Sequence, residues 1–198
     1  MPATRAPSAS GATDVQTRAA SSQWVAREMG EPGLAAPASI LDLLNYQLHL
    51  LLSFSTAEVT RLCEREHGIT RHEWGYIGLL AAFGPLAPSE LALRSGMDRS
   101  RTSKALMPLL AKGLVSRQSK VGDRRYATVA LSAAGKRLYA QMFPQVLAIH
   151  QALLQPLTAE EVQVLGRALA KLRPQAVALS TTCPRPRGSD PRDSQETV

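Results

Sequence analysis

The sequence predicts a mainly α protein carrying one small β-hairpin, in the order α-α-α-α-β-β-α-α. Three observations carry this. Apolar residues recur at helical spacing in six segments, most opened by a capping residue or an early proline and several closed by a glycine. The hydrophobic period changes from 3.6 to 2 only once, after Gly113. Aromatics make up 5% of a chain that is 44% hydrophobic, which suits a Leu/Ala-rich helical core.

The 198 residues suffice for one sizeable domain with tails. Residues 1–38 are rich in Ala, Ser, Pro and Gly without periodicity and are expected to form a disordered N-terminal extension. They contain no apolar h-region, so no secretory signal is read there; their acid-poor, Arg- and Ser-containing composition is one that mitochondrial presequences share. From Ser39 to about His67 one long helix is expected, broken by Gly68. Its first two-thirds are apolar nearly all round, so it needs burial on several sides, one of which a second subunit could supply.

Thr70 and Glu73 form a capping box for a helix to about Phe83, which Gly84-Pro85 ends. Pro88 at N1 and Glu90 at N3 open a short helix to about Ser95. Gly96 closes that helix and Asp98 caps the next, from Arg99 to about Lys112. Two short helices joined by about three residues that include a glycine make a helix-turn-helix signature. Leu114–Ser119 and Tyr126–Leu131 then read as strands around the turn "KVGDRR". Ser132 caps a helix to about Leu154, expected to bend at Pro144, and Thr158 with Glu161 caps a last one to about Arg173. Residues 174–198 read as a flexible C-terminal tail, and no stretch is apolar for long enough to span a membrane. Cys63 and Cys183 lie far apart and make no disulfide framework, so the chain reads as cytoplasmic.

Charge distribution narrows the function. From Asp98 to Tyr126 there are eight cations (Arg99, Arg101, Lys104, Lys112, Arg117, Lys120, Arg124, Arg125) and two acids (Asp98, Asp123). Eight minus two is +6, nearly all of the chain's net +7. A basic block inside a folded segment is the electrostatic footprint of a polyanion partner. A helix fits the major groove of double-stranded DNA with its N-terminal residues nearest the base edges. Here those residues are Arg99, Ser100, Arg101, Thr102, Ser103 and Lys104, and the apolar spacing of Ala105, Leu106, Leu109 and Leu110 leaves all but Thr102 for the outer face. Arg can read guanine bidentately, while Ser and Lys more often hold phosphate. A hairpin tip with Lys120, Arg124 and Arg125 can straddle the backbone and place an Arg in the minor groove. Asp123 is costly there as a free anion and is better used to orient a neighbouring Arg.

Over roughly residues 39–173 the sequence resembles the MarR family of winged helix-turn-helix transcriptional regulators. The resemblance rests on Gly-Leu-Val-x-Arg at 113–117, Asp-Arg-Arg at 123–125 and Leu-Ser-x-x-Gly at 131–135, at these separations. It implies a winged helix-turn-helix lobe over 69–131 and a helical dimerisation region over 39–68 and 132–173. It also implies a homodimer on a pseudo-palindromic operator, usually as a repressor released by a small ligand. By position, Arg99, Ser100, Arg101, Ser103 and Lys104 would be recognition-helix contacts, and Asp123 and Arg124 the wing-tip pair. Two departures stand out: Pro108 inside the recognition helix, and Thr102 in place of a branched aliphatic core residue, expected to be a small local weakening.

The resemblance places an effector pocket between the long helices and the DNA-binding lobe. Residues that could line it are Tyr46, His49, His72, Trp74 and Tyr76, with Arg61 or Arg99 to meet a carboxylate. Such a set suits a planar aromatic anion, of hydroxybenzoate or hydroxypyridine-carboxylate type, from a catabolic or related setting. A rival is a zinc-responsive regulator on the same fold, because Cys63, Glu64, Glu66, His67, His72 and Glu73 fall within eleven residues; the spacing, however, crosses a helix break and matches no standard ligand pattern. A protein-interaction dimer that does not bind DNA is the alternative of another class, and it would not need +6 focused on one helix and one turn. No nucleophile elbow, P-loop or Cys-His pair in a recognisable frame is present, and neither a cofactor nor enzymatic activity is expected.

Overall fold

A computed structural model describes Trp24, residues 30–120 and residues 123–182. After a 3-10 turn at Ile40–Asp42 come α1 (Leu44–Arg61), α2 (Arg71–Phe83), α3 (Pro88–Ser95) and α4 (Arg99–Ala111). Strands β1 (Val115–Lys120) and β2 (Asp123–Leu131) follow, then α5 (Ala133–Leu154) and α6 (Ala159–Thr182). The chain divides into two compact units, one through Ala140 and the other from Gln141 onward.

The first unit holds the winged lobe. Thr70 and Glu73 form the expected capping box of α2, and Gly84 ends that helix with φ 75°. Gly96, left-handed at φ 68°, turns α3 toward Asp98 and α4. Ile77 of α2, Leu91 of α3, Leu109 of α4 and Val129 of β2 are fully buried and form the centre of the lobe. β1 and β2 pair antiparallel with Val115 opposite Leu131. Leu86 bridges to Val129 through two backbone hydrogen bonds of 3.0 and 2.8 Å, fixing the loop before α3 to the hairpin.

Three expected boundaries are corrected. The helix expected over 39–67 is not continuous: Leu43 is extended at ψ 130°, so the first turn is separate from α1. The cause is Asp42, whose carboxylate turns back to accept N–H bonds from Gly33, Ala38 and Ser39 at 2.8, 3.0 and 2.9 Å. These bonds, Gly33's foremost, hold its pKa below the usual value, and they order part of the segment expected to be disordered through residue 38. At its other end α1 passes into a π-helical turn, Leu62–Glu66, before Gly68 reverses the chain. The last helix does not stop near Arg173 but carries Pro174 and continues to Thr182, so residues 174–182 are not tail. Of the expected terminal extensions, residues 1–23, 25–29 and 183–198 lie outside the described residues.

Candidate nucleic-acid interface

The polar helix is built as its sequence requires. Asp98 Oδ1 accepts the Arg101 backbone N–H at 2.8 Å and caps α4, while Oδ2 lies 3.4 Å from Arg101 Nε. Thr102, Leu106 and Leu109 are buried on the inner side. Arg99, Ser100, Arg101, Ser103 and Lys104 are all exposed on the other, so the structure brings these five together on one solvent face. Pro108 lies within α4 without ending it, since the helix runs on to Ala111.

Thr102 corrects an expectation. It is completely buried, and it is not a weak point: its hydroxyl donates to the Asp98 carbonyl at 2.9 Å and accepts from the buried Tyr76 hydroxyl at 3.4 Å. Tyr76 was a candidate pocket residue; its side chain instead belongs to the core, where the hydroxyl chain ties α2 to the entry of α4. A β-branched aliphatic residue at 102 would leave the Tyr76 O–H without that acceptor.

Lys112 had been counted with the basic block, yet its ammonium turns inward. It donates to Glu73 Oε1 at 2.8 Å, to Oε2 at 2.9 Å and to the Gly68 carbonyl at 2.9 Å. Burial pushes the Glu73 carboxyl up, but the Lys112 hydrogen bonds and the Thr70 N–H outweigh it and hold the pKa below its ordinary value. One glutamate therefore serves both as capping-box residue and as partner of a lysine 39 positions away. The capping half was readable from spacing; the pairing was not, because nothing local links 73 with 112. The block's cations on described side chains, Arg99, Arg101, Lys104, Lys112 and Arg117, are all exposed, with Lys112 committed to the buried Glu73.

The hairpin is longer than expected. β1 reaches Lys120 and β2 begins at Asp123, so Asp-Arg-Arg forms the start of a strand and not the turn. A register shift falls between Gln118 and Lys120, where Lys120 pairs with Asp123. The side chains of Lys120, Asp123, Arg124 and Arg125 lie outside the described ones, as do residues 121 and 122. The hairpin root is tied to α5. Ser132 donates its N–H to the Leu114 carbonyl at 3.1 Å and its hydroxyl to the Gly113 carbonyl at 2.6 Å, while accepting the Gly135 N–H at 3.0 Å. Any Cβ at Gly135 would run into the Leu114 carbonyl oxygen, which is the physical reason for the Leu-Ser-x-x-Gly pattern.

The other candidate effector residues are dispersed in character. Tyr46 is half-buried and His49 exposed on α1. Arg61 is half-buried and pairs with Glu58. His72 is exposed at the start of α2, and Arg99 lies on the outer face of α4. Trp74 stacks on Tyr139 with ring centroids 5.4 Å apart. The acidic, His- and Cys-containing cluster at 63–73 does not converge: among the described residues no group of three or more potential ligands could hold a metal ion. Cys63 is buried, and burial, followed by the nearby Glu64 charge, raises its thiol pKa. Glu73 is committed to Lys112. No described helix is long and apolar enough to cross a membrane.

A capped helix pair with one exposed polar face, followed by a hairpin anchored at its root, is a winged helix-turn-helix. Residues 67–125 match the model of the MarR family, and the architecture is that family's winged fold. Similar solved structures are MarR-family transcriptional regulators. One from Silicibacter pomeroyi is 22% identical, with a TM-score of 0.63 over 74% of this chain and 98% of that one. A MarR/EmrR family regulator from Acinetobacter sp. is 20% identical, with a TM-score of 0.63 over 68% and 94%. A cysteine-to-serine mutant of MarR from E. coli, complexed with operator DNA, is 25% identical, with a TM-score of 0.59 over 65% and 92%. No curated protein matches the chain by sequence.

Proposed function

We propose that the protein is a homodimeric DNA-binding regulator, a cytoplasmic repressor of a catabolic or related operon that a small aromatic acid releases. The observation that carries the DNA reading is the outer face of α4, where Arg99, Ser100, Arg101, Ser103 and Lys104 stand exposed while Thr102, Leu106 and Leu109 are buried on the inner side. In this reading the face enters the major groove of a pseudo-palindromic operator, with Arg99 and Arg101 as candidates for base edges and the shorter side chains on phosphate. Lys120, Arg124 and Arg125 hold the adjacent backbone, and Asp123 aims one of the arginines. The E. coli relative complexed with operator DNA supports the same use of the fold.

A mobility-shift titration against the DNA upstream of the protein's own reading frame tests this, repeated across salt concentrations. Arg124→Ala is expected to weaken binding, leave the fold intact and reduce the salt slope by about one unit, the loss of one neutralised phosphate. An unchanged slope and affinity would take the hairpin off the DNA. Failure to shift any DNA at low salt would reject the whole reading.

A further inference from the structure

The outer face of α4 changes character halfway along. Its first half carries Arg99, Ser100, Arg101, Ser103 and Lys104, all exposed. From Ala105 to Ala111 no side chain is charged or can donate a hydrogen bond, although Met107, Pro108 and Ala111 are exposed as well. Met107 keeps 58% of its surface open. The helix sets its direction. At about 100° per residue, Ser100, Lys104, Met107 and Ala111 fall within about 60° of one another. That sector lies opposite Thr102, Leu106 and Leu109, which the lobe buries. Met107 therefore stands in line with the polar half, about two turns beyond Ser100. The exposed Pro108 ring widens the apolar surface beside it.

These features select a contact. A lone exposed methionine is ordinary, but this one continues a face proposed for the major groove, so the groove is what would cover it. A thioether cannot hold a phosphate. Pressed against one, it would strip water from the anion and give no hydrogen bond in return. Among the base edges of the major groove the one apolar group is the thymine C5-methyl. An unbranched, polarisable side chain adapts well to so shallow a contact. With α4 lying along the groove, the seven residues from Ser100 to Met107 advance about 10 Å, roughly three base-pair steps. Met107 then meets a base pair that the first turn of the helix does not reach.

We propose that Met107 is a specificity-determining residue, its thioether packed on the C5-methyl of one thymine in each half of the operator, with Pro108 flanking it. The inference rests on the proposed reading of the chain as a DNA-binding regulator and deepens it. The two halves of α4 then divide the work. The cations and hydroxyls of the first half hold phosphates and polar base edges, while the apolar half asks for a methyl group. Because the methionine neutralises no phosphate, it adds discrimination between sequences without adding to the salt dependence. Thymine and uracil are told apart at this one position, although their hydrogen-bonding groups are the same.

The test uses the full chain and a duplex that it selects from a randomised pool. Each thymine of that duplex is replaced in turn by deoxyuridine, which removes the methyl and keeps every hydrogen-bonding group. Mobility shifts give the affinities, and circular dichroism verifies that each variant is folded. The parent chain is expected to lose about three- to fivefold at one thymine per half-site, the worth of one buried methyl-sized group. Met107→Ala should weaken binding to the thymine duplex by at least as much, bind the thymine and uracil duplexes equally, and keep the parent's salt slope. Met107→Leu, which stays apolar and helix-favouring, should retain much of the preference for thymine. The inference is overturned by a uracil effect that persists in Met107→Ala, or by one that Met107→Leu loses as completely as Met107→Ala does. It is overturned as well if the bound duplex shows no uracil effect, if no sequence is selected, or if Met107→Ala changes the sedimentation of the free protein, which would make the patch a protein contact. Failure to shift any DNA at low salt has a different meaning: it removes the DNA reading itself, and this inference with it.

Discussion

The winged lobe and the long helices of this chain handle the same kind of side chain in opposite ways. Within the lobe, Ile77, Leu80, Leu91, Leu106, Leu109, Val115 and Val129 are all buried by their own chain. Along α1 no residue is buried: Leu44, Leu51 and Leu52, which helical spacing puts on one broad face, are all exposed. On α6, Leu165, Leu172 and Leu179 recur every seven residues and are exposed too. The lobe buries these side chains within a single chain, whereas α1 and α6 each carry exposed leucines. This contrast is the observation behind the proposed homodimer, in which a second copy would cover these leucines.

The contrast can be broken at its widest point first. Leu51→Glu with Leu52→Glu places two charges on the exposed face of α1, where burying each leucine in a dimer would be worth about 1.5–3 kcal/mol. Sedimentation velocity should show a monomer with the lobe still folded, and DNA affinity should fall at least a hundredfold; a variant that stays dimeric would remove α1 from the interface. In the lobe, Gly135→Ala should destabilise by about 3 kcal/mol or more in denaturant unfolding, since a methyl cannot coexist with the Leu114 carbonyl. A near-neutral result would mean that the root can shift, which would weaken the account of the hairpin anchor.

Smaller effects sharpen the same picture. Lys112→Met should cost about 1–2 kcal/mol, below the figure for a fully buried pair because the lysine is partly exposed. The pair also has a pH signature. Because the folded Glu73 pKa is depressed, its contribution is fully present above the unfolded value, about 4.5, and is lost as pH falls through the folded one. Urea midpoints of the parent chain should therefore fall on that acid limb, and Lys112→Met should show a weaker fall. Tyr76→Phe should cost the least, about 0.5–1.5 kcal/mol for one buried hydroxyl pair, with little change in DNA affinity.

Much of this was legible before any coordinates. The boundaries of α2 and α3 followed from Thr70, Gly84, Pro88 and Gly96, because capping and left-handed glycine positions are decided within a few residues. The outer face of α4 followed from the spacing of Leu106 and Leu109. Less legible were the break at Leu43, where Asp42 binds a chain segment nine residues back, and the run of α6 past Pro174, where composition alone reads as tail. For the candidate effector residue Tyr76 the sequence leaves the choice open for a related reason. An aromatic side chain at helical spacing serves core and pocket equally well, and Tyr76 turned out to be core.

The amino-acid order by itself determined the sequence of elements, the polar face of the fourth helix and the concentration of charge there, since periodicity, caps and charge are properties of neighbours along the chain. Only the tertiary structure decided how distant groups are used. It committed the exposed Lys112 to the buried Glu73 and turned Thr102 from an expected packing defect into a link between Tyr76 and Asp98. Each outcome depends on which residues meet across 20 or more positions, and local chemistry is silent about such meetings until the chain has packed.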